Sequence, residues 1–138
     1  MKLSRTVSYA LQAVVRLGDT FGASPVPCSR LAAEGDMPDR FLLQILRSLV
    51  AHEILISTRG VDGGYTLGRE PENITLLEII EALDGPLTWA LPMAEAFPKS
   101  TRTKLQGVLS EVHATVRSQL MSVTLADLLA SEKQTAGR

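Results

Sequence analysis

At 138 residues and 14.9 kDa the chain has room for one domain of ordinary size, since domains commonly run to about 100–200 residues. A hydrophobic content of 45%, a charged content of 21% and a mean hydropathy of +0.12 exclude wholesale disorder. No apolar run reaches the roughly 18–20 residues that cross a bilayer, so a cytoplasmic protein with no membrane partner is expected. The net charge of −1 excludes attraction of nucleic acid by the whole surface, yet the charge is uneven: residues 1–69 carry eight Lys/Arg against six Asp/Glu, and residues 70–138 carry six against nine. The N-terminal half is the half suited to an anionic partner. The single cysteine, Cys28, can make no internal disulfide, and with His52 and His113 it lacks the spacing of a metal site.

Ser4 is placed to cap a first helix whose apolar positions Val7, Leu11, Val14, Val15 and Leu17 follow helical spacing as far as residues 18–22. After a loop over residues 22–27, residues 29–34 predict a short helix stopped at Gly35, and Pro38-Asp39 opens another helix that runs to about His52. On that helix Leu42, Ile45, Leu46 and Leu49 recur as a buried stripe would, while Arg40, Leu43, Gln44 and Arg47 form a second stripe on an outward face. A short helix, a glycine-containing turn and a helix with a polar outward stripe is the sequence form of a helix-turn-helix. Residues 54–57 then predict a strand, 59–64 a turn and 65–67 the returning strand, which makes the whole a winged helix. Asp62-Gly63-Gly64 supplies the positive φ of a tight hairpin, and Gly63 and Gly64 let the backbone approach a phosphate-lined groove.

Thr75 opens a helix with Leu76, Leu77, Ile79, Ile80 and Leu83 on its apolar face, stopped at Asp84-Gly85-Pro86 and expected to pack beneath the wing. Over residues 85–98, Pro86, Pro92 and Pro98 interrupt an apolar stretch containing Trp89, Met93 and Phe97, and an irregular connector is expected. From about Lys99 a long helix carries Leu105, Val108, Leu109, Val112, Val116 and Leu120 along one side, a stripe that calls for a partner. Thr124 caps a final short helix reaching residue 130, and residues 131–138 read as a polar tail.

Three stretches are similar to the IscR-like (Rrf-two type) family of winged helix-turn-helix transcription regulators. They are Met1-Lys2-Leu3-Ser4-Arg5 with Tyr9-Ala10-Leu11, then Pro38-Asp39-Arg40-Phe41-Leu42-Leu43-Gln44-Ile45-Leu46, and above all Arg59-Gly60-Val61-Asp62-Gly63-Gly64-Tyr65-Thr66-Leu67. The likeness covers residues 1–84, and the long helix and Thr124-Leu125-Ala126-Asp127-Leu128 fall where this family would place them. It implies a mainly α fold with a small β-hairpin wing: a winged helix-turn-helix DNA-binding domain over residues 1–84, the connector 85–98, and a dimerisation helix with its closing helix over 99–130. The homodimer would join through the long helices, Leu105 and Leu109 included. Members that sense iron, oxygen or nitric oxide carry three cysteines in the connector, usually as ligands of an iron–sulfur cluster. Cluster chemistry needs several thiolates, and residues 85–104 contain neither cysteine nor histidine, so no cofactor is expected and the signal is left undefined.

Polar residues on a helix commonly just face solvent. Beside a wing, Arg40, Gln44 and Arg47 suit major-groove readout, arginine bonding bidentately to guanine and glutamine to adenine, each good pair worth about 1–3 kcal/mol of discrimination. Asp39 stands at the start of that helix, where the dipole favours a carboxylate. Leu43 is either an ordinary exposed leucine or a contact to a thymine methyl. Arg59 suits minor-groove insertion or a phosphate, whereas Lys2, Ser4 and Arg5 suit backbone phosphates at the first helix's N-terminus, with plain surface charge as the competing reading. Cys28 is either a small buried hydrophobe or a thiol made acidic by a helix N-terminus. Trp89, Met93 and Phe97 either pack on the long helix or line an effector pocket. No nucleophile set, paired carboxylates or phosphate-binding glycine loop supports an enzyme. The expected function is a sequence-specific DNA-binding regulator, a repressor, acting as a homodimer on a roughly palindromic double-stranded operator, its signal being either an unknown small-molecule effector or oxidation of Cys28. The rival reading is a winged-helix adaptor that binds another protein through the long helix or the connector.

Overall fold

A computed structural model describes residues 2–136, with side chains through residue 131; Met1 of the opening motif and residues 137–138 of the tail lie outside the described residues. Ser4 caps α1 (Arg5–Asp19), its Oγ accepting the Val7 N–H at 3.2 Å. Val7, Ala10, Ala13, Val14 and Leu17 line the buried face of α1, the two alanines letting neighbouring helices come close. The pair α2 (Cys28–Gly35) and α3 (Asp39–Ala51) is joined by a turn in which Asp36, not Gly35, takes the left-handed conformation with φ of 52°. Aspartate tolerates that region because its short polar side chain bonds locally. The Met37 N–H then returns to the Ala32 carbonyl at 2.9 Å, which satisfies one of the carbonyls left free at the end of α2.

The wing is an antiparallel pair, β1 (Leu55–Thr58) and β2 (Gly64–Leu67), with Leu55 opposite Leu67 and Thr58 opposite Gly64. Its turn departs from the expected one: positive φ falls on Gly60 (112°) and Gly64 (149°), while Asp62 and Gly63 have none. Gly63 is required for space instead, because a Cβ there would press on the Thr58 and Gly60 carbonyls. Val26 adds a third line to the sheet, exchanging N–H···O bonds of 3.0 and 2.9 Å with Tyr65.

A 3₁₀ turn (Pro71–Asn73) leads to α4 (Leu76–Asp84). This helix packs against α1, α3 and the long helix rather than beneath the wing; Ile79 and Ala82 close the common core of the head, while β1 lies on α3 and β2 on α1. Its start is a capping box, the Thr75 hydroxyl accepting the Glu78 N–H and the Glu78 carboxylate accepting the Thr75 N–H at 2.9 Å. Burial works against the charged form of Glu78, but the Thr75 N–H and the Arg69 guanidinium outweigh it and hold the carboxyl below its ordinary value near 4.5. A carboxylate depressed in this way contributes stability that is present above the unfolded value and lost as pH falls through the folded one. The expected result is a melting temperature that declines as pH drops below about 4.5, and a smaller decline in Glu78→Gln, which keeps the capping geometry but at neutral pH loses the charge pairing with Arg69. Thermal melts from pH 7 to pH 3 test this; parallel pH profiles for the two proteins would remove Glu78 as a cause.

The connector holds one 3₁₀ turn (Ala94–Ala96), after which α5 (Lys99–Met121) runs for 23 residues with none of them fully buried. Leu105, Leu109, Val116 and Leu120 are half-buried, and Val108 and Val112 are 45% and 40% exposed. Thr124 begins α6 (Leu125–Ala136), which is longer than expected: residues 131–136, read as tail, continue the helix. The chain re-enters the head there. Thr75 and Thr124 form a β-bridge, the Leu76 N–H donates to the Val123 carbonyl at 2.9 Å, and the Leu125 N–H donates to the Ile74 carbonyl at 2.8 Å. Leu125 and Leu129 then pack on Gly18, where a Cβ would lie only 2.9 Å from a Leu129 methyl. No described side chain that is polar or charged is fully buried, and no described helix is long and apolar enough to cross a membrane.

Candidate nucleic-acid interface

The two stripes of α3 separate as its periodicity requires. Leu42, Ile45, Leu46 and Leu49 are buried; Arg40, Gln44 and Arg47 are exposed; Leu43 is half-buried between them. Asp39 occupies the first turn of α3 and is exposed. Phe41, 39% exposed beside Arg40, is held edge-on by Tyr9 of α1 with ring centroids 5.6 Å apart. That contact fixes the outer end of α3 against the first half of α1. Its sequence signal was only two aromatics in separate helices.

Arg59 stands exposed in the β1–β2 turn and Val61 is fully exposed at its tip, so the wing presents a guanidinium and an apolar side chain together. Gly63 and Gly64 belong to the base of this loop, and Gly64 is pressed against the Val26 backbone, so its freedom from a side chain serves the fold. Lys2 and Arg5 are exposed at the start of α1. Ser4 is differently placed: besides its capping role, its hydroxyl donates to Asp84 Oδ1 at 2.8 Å, so both its functions are already engaged.

Two charge networks hold the head. Glu34 of α2 receives Arg30 at 2.9 Å and Arg16 of α1 at 3.0 Å, and the Arg30 hydrogen bond, helped by the charge of Arg16, keeps its carboxyl below the usual range. Arg69, just past β2, bonds the Asn73 carbonyl at 3.0 Å and Glu78 at 2.9 Å. The i, i+4 pair Arg30–Glu34 is visible in the sequence; Arg69–Glu78, formed through a turn, is not.

Cys28 opens α2, and burial and then the charge of Asp39 push its thiol up, which favours the small buried hydrophobe over the acidic thiol of the two readings. Trp89 is 36% exposed, Met93 73% exposed and Phe97 half-buried, and the cleft that opens beside α5 is lined by other residues, His52 and Met121 among them. His52 bonds the Ser48 carbonyl through Nδ1 at 2.9 Å; His113, on α5, has a buried Nε2 with no hydrogen-bond partner among the described residues.

A family model described as Rrf2, iron-dependent transcriptional regulator, matches residues 3–131. The chain is 32% identical over 130 residues to a Mycobacterium tuberculosis protein named as an HTH-type transcriptional regulator, covering 93% of this chain and 81% of that one. It is 29% identical over 128 residues to the regulator CymR of Bacillus subtilis, covering 93% and 89%. Among solved structures it resembles B. subtilis CymR, described as a global cysteine regulator, with a TM-score of 0.79 at 28% identity over 95% of this chain and 98% of that one. It resembles T. potens IscR with a TM-score of 0.74 at 29% identity, covering 98% and 90%. These likenesses bear out the winged-helix fold and the regulator class read from the motifs. The iron in the family's description meets a poor donor set here: one cysteine, two histidines, and no group of three His, Cys, Asp or Glu among the described residues able to hold a metal ion.

Proposed function

Because the chain belongs to the Rrf2 family of transcriptional regulators, we propose that it acts as a homodimeric repressor that reads a roughly palindromic operator and carries no iron–sulfur cluster. The observation that carries this reading is the pairing of two exposed elements on one head. The stripe Arg40, Leu43, Gln44 and Arg47 rides on α3, whose other side is anchored by four buried aliphatics, and Arg59 rides on the wing beside it. Arg40, Gln44 and Arg47 would read base edges in the major groove, and Leu43 would meet a thymine methyl. Arg59 would enter the neighbouring minor groove or hold a phosphate, with Gly63 and Gly64 keeping the loop narrow enough to fit. Lys2 and Arg5 would hold backbone phosphates, and Asp39 would support the start of α3; Ser4, tied to Asp84, would contribute through its cap alone.

The homodimer is supported by α5, where Leu105, Leu109 and the more exposed Val108 and Val112 leave an apolar stripe that a second copy would cover. Two-fold symmetry then calls for two half-sites about one helical turn or a multiple of it apart. Repression would follow from occupying promoter DNA. The absent connector cysteines support a signal other than a cluster.

The test is fluorescence anisotropy of the purified protein on DNA from its own upstream region, across a salt series, with an unrelated duplex as control and sedimentation to count subunits. The expected result is a dimer that prefers one duplex and loses affinity steeply with salt, the log–log slope being about −0.9 for each phosphate neutralised. A monomer, or equal weak binding to both duplexes together with no site selected from random DNA, would overturn the reading in favour of a protein-binding adaptor.

A further inference from the structure

Where the end of α3, α4 and the far part of α5 meet, the molecule holds a cleft of about 670 Å³, within the roughly 300–1,000 Å³ of small-molecule sites. His52 comes from the end of α3, Glu78 and Glu81 from α4, Glu72 from the turn before it, and Arg117 and Met121 from α5. The polar lining is unbalanced. Arg117 is the one cation among the lining residues, and it is committed to an ion pair with Glu81. Glu78 is likewise engaged, by Arg69 from outside the lining and by Thr75, so the exposed Glu72 is the lining carboxylate with no ion pair among the described residues, and it leaves the cleft net negative.

His52 adds to the imbalance. Its Nδ1 lies 2.9 Å from the Ser48 carbonyl, which can only accept, so in the neutral ring Nδ1 carries the proton and Nε2 is left as an acceptor. Met121, 52% exposed, together with Leu77, gives the same cleft an apolar side. An acceptor-rich, net negative cavity with an apolar wall selects a donor-rich cation on a short hydrocarbon stem. It does not select a metal ion, since no described group of three His, Cys, Asp or Glu could hold one.

We propose that this cleft is a regulatory site for a small organic cation, an amine or guanidinium, whose occupancy changes the affinity for DNA. The regulatory part follows from where the walls come from. α3 carries the proposed reading stripe and α5 the proposed dimer contact, with α4 linking them through the Glu81–Arg117 pair. A ligand touching all three binds differently when the head turns against α5, and linkage makes the effect reciprocal. Only this regulatory half rests on the DNA-binding reading.

The experiment is a titration of the full-length protein, labelled with ¹³C-methyl methionine, by n-butylguanidinium at constant ionic strength. The Met121 methyl is expected to shift saturably, with half-saturation at about 1 mM or below. Met93, in the connector, should stay in place, and the uncharged n-butylurea should leave Met121 unmoved. Glu72→Gln, a change at an exposed side chain, is expected to weaken the guanidinium by about two- to fivefold. A Met121 signal that does not move, that moves together with Met93, or that moves equally with the urea would overturn the site. Repeating the titration with the preferred duplex bound should change the half-saturation point, and an unchanged value would overturn the regulatory role. If no duplex binds, that role falls with the DNA-binding reading, while the DNA-free Met121 result stands or falls by itself.

Discussion

Arg40→Ala and Arg59→Ala are each expected to weaken operator binding by about 1–3 kcal/mol per half-site, roughly tenfold to a hundredfold, while the protein remains a dimer. The side chains act on different parts of the duplex, so the two losses should differ in kind. Arg40 is exposed on α3 next to Phe41, which Tyr9 holds in place, so its loss leaves the helix where it was. Affinity for the cognate sequence should fall, affinity for an unrelated duplex should change little, and one base-pair position should become permissive. Arg59 is exposed on the β1–β2 turn. Its removal should weaken both duplexes and reduce the salt slope by about one phosphate per subunit. Anisotropy on both duplexes over a salt series separates these patterns, with sedimentation as the check on assembly. Unchanged affinity in the double variant would move the DNA contact away from the α3 and wing surfaces.

The second large effect concerns Gly64. Its φ of 149° is one that L side chains rarely adopt, and a Cβ there would fall inside the contact distance of the Val26 carbonyl and 2.7 Å from the Pro27 nitrogen. These are backbone atoms, so no rotamer change relieves the clash. Gly64→Ala is expected to cost about 2–4 kcal/mol, the range in which strain and a lost backbone pairing combine. The Val26–Tyr65 bridge should open first, so amide exchange at Val26 and Tyr65 should accelerate more than exchange within α1. Gly60 is the internal control: its φ of 112° is also positive, but nothing lies within 4 Å of a Cβ built on it. Gly60→Ala should cost about 1 kcal/mol through conformation alone. Equal destabilisation in the two variants would show that the packing of Val26 on the wing contributes nothing.

The parts of the fold legible in the sequence are those governed by local rules. The period of Leu42, Ile45, Leu46 and Leu49 marked the core face of α3, and Ser4, Thr75 and Thr124 each marked a helix start by a side chain that bonds three residues ahead. Two adjacent glycines announced the hairpin, and Gly64 takes a positive φ while the other falls on Gly60; that Gly64 must also admit the Val26 backbone, 38 residues upstream, could not be read locally. What could not be read depends on neighbours distant in sequence. The face to which α4 turns is set by α1, α3 and α5 together, and Glu81 meets Arg117 across 36 residues. The cleft beside α5 belongs to the same class, since its walls come from three separate helices and the turn before α4, and Trp89, Met93 and Phe97 are not among its lining residues. The choice between the two readings of Cys28 was open in the sequence for a related reason. Its position at a helix start is local, whereas the desolvation and the nearby Asp39 that outweigh the dipole are tertiary.

The return of the chain to the head at Thr75 and Thr124 makes α5 an excursion with unequal ends. It departs through fourteen residues with a single 3₁₀ turn and comes back through a β-bridge, flanking backbone hydrogen bonds and two leucines seated on Gly18. Mechanically this is a lever clamped at one end and hung on a cord at the other. A displacement of the Lys99 end is absorbed by the cord, whereas a rotation of the Met121 end is delivered to the head as a torque.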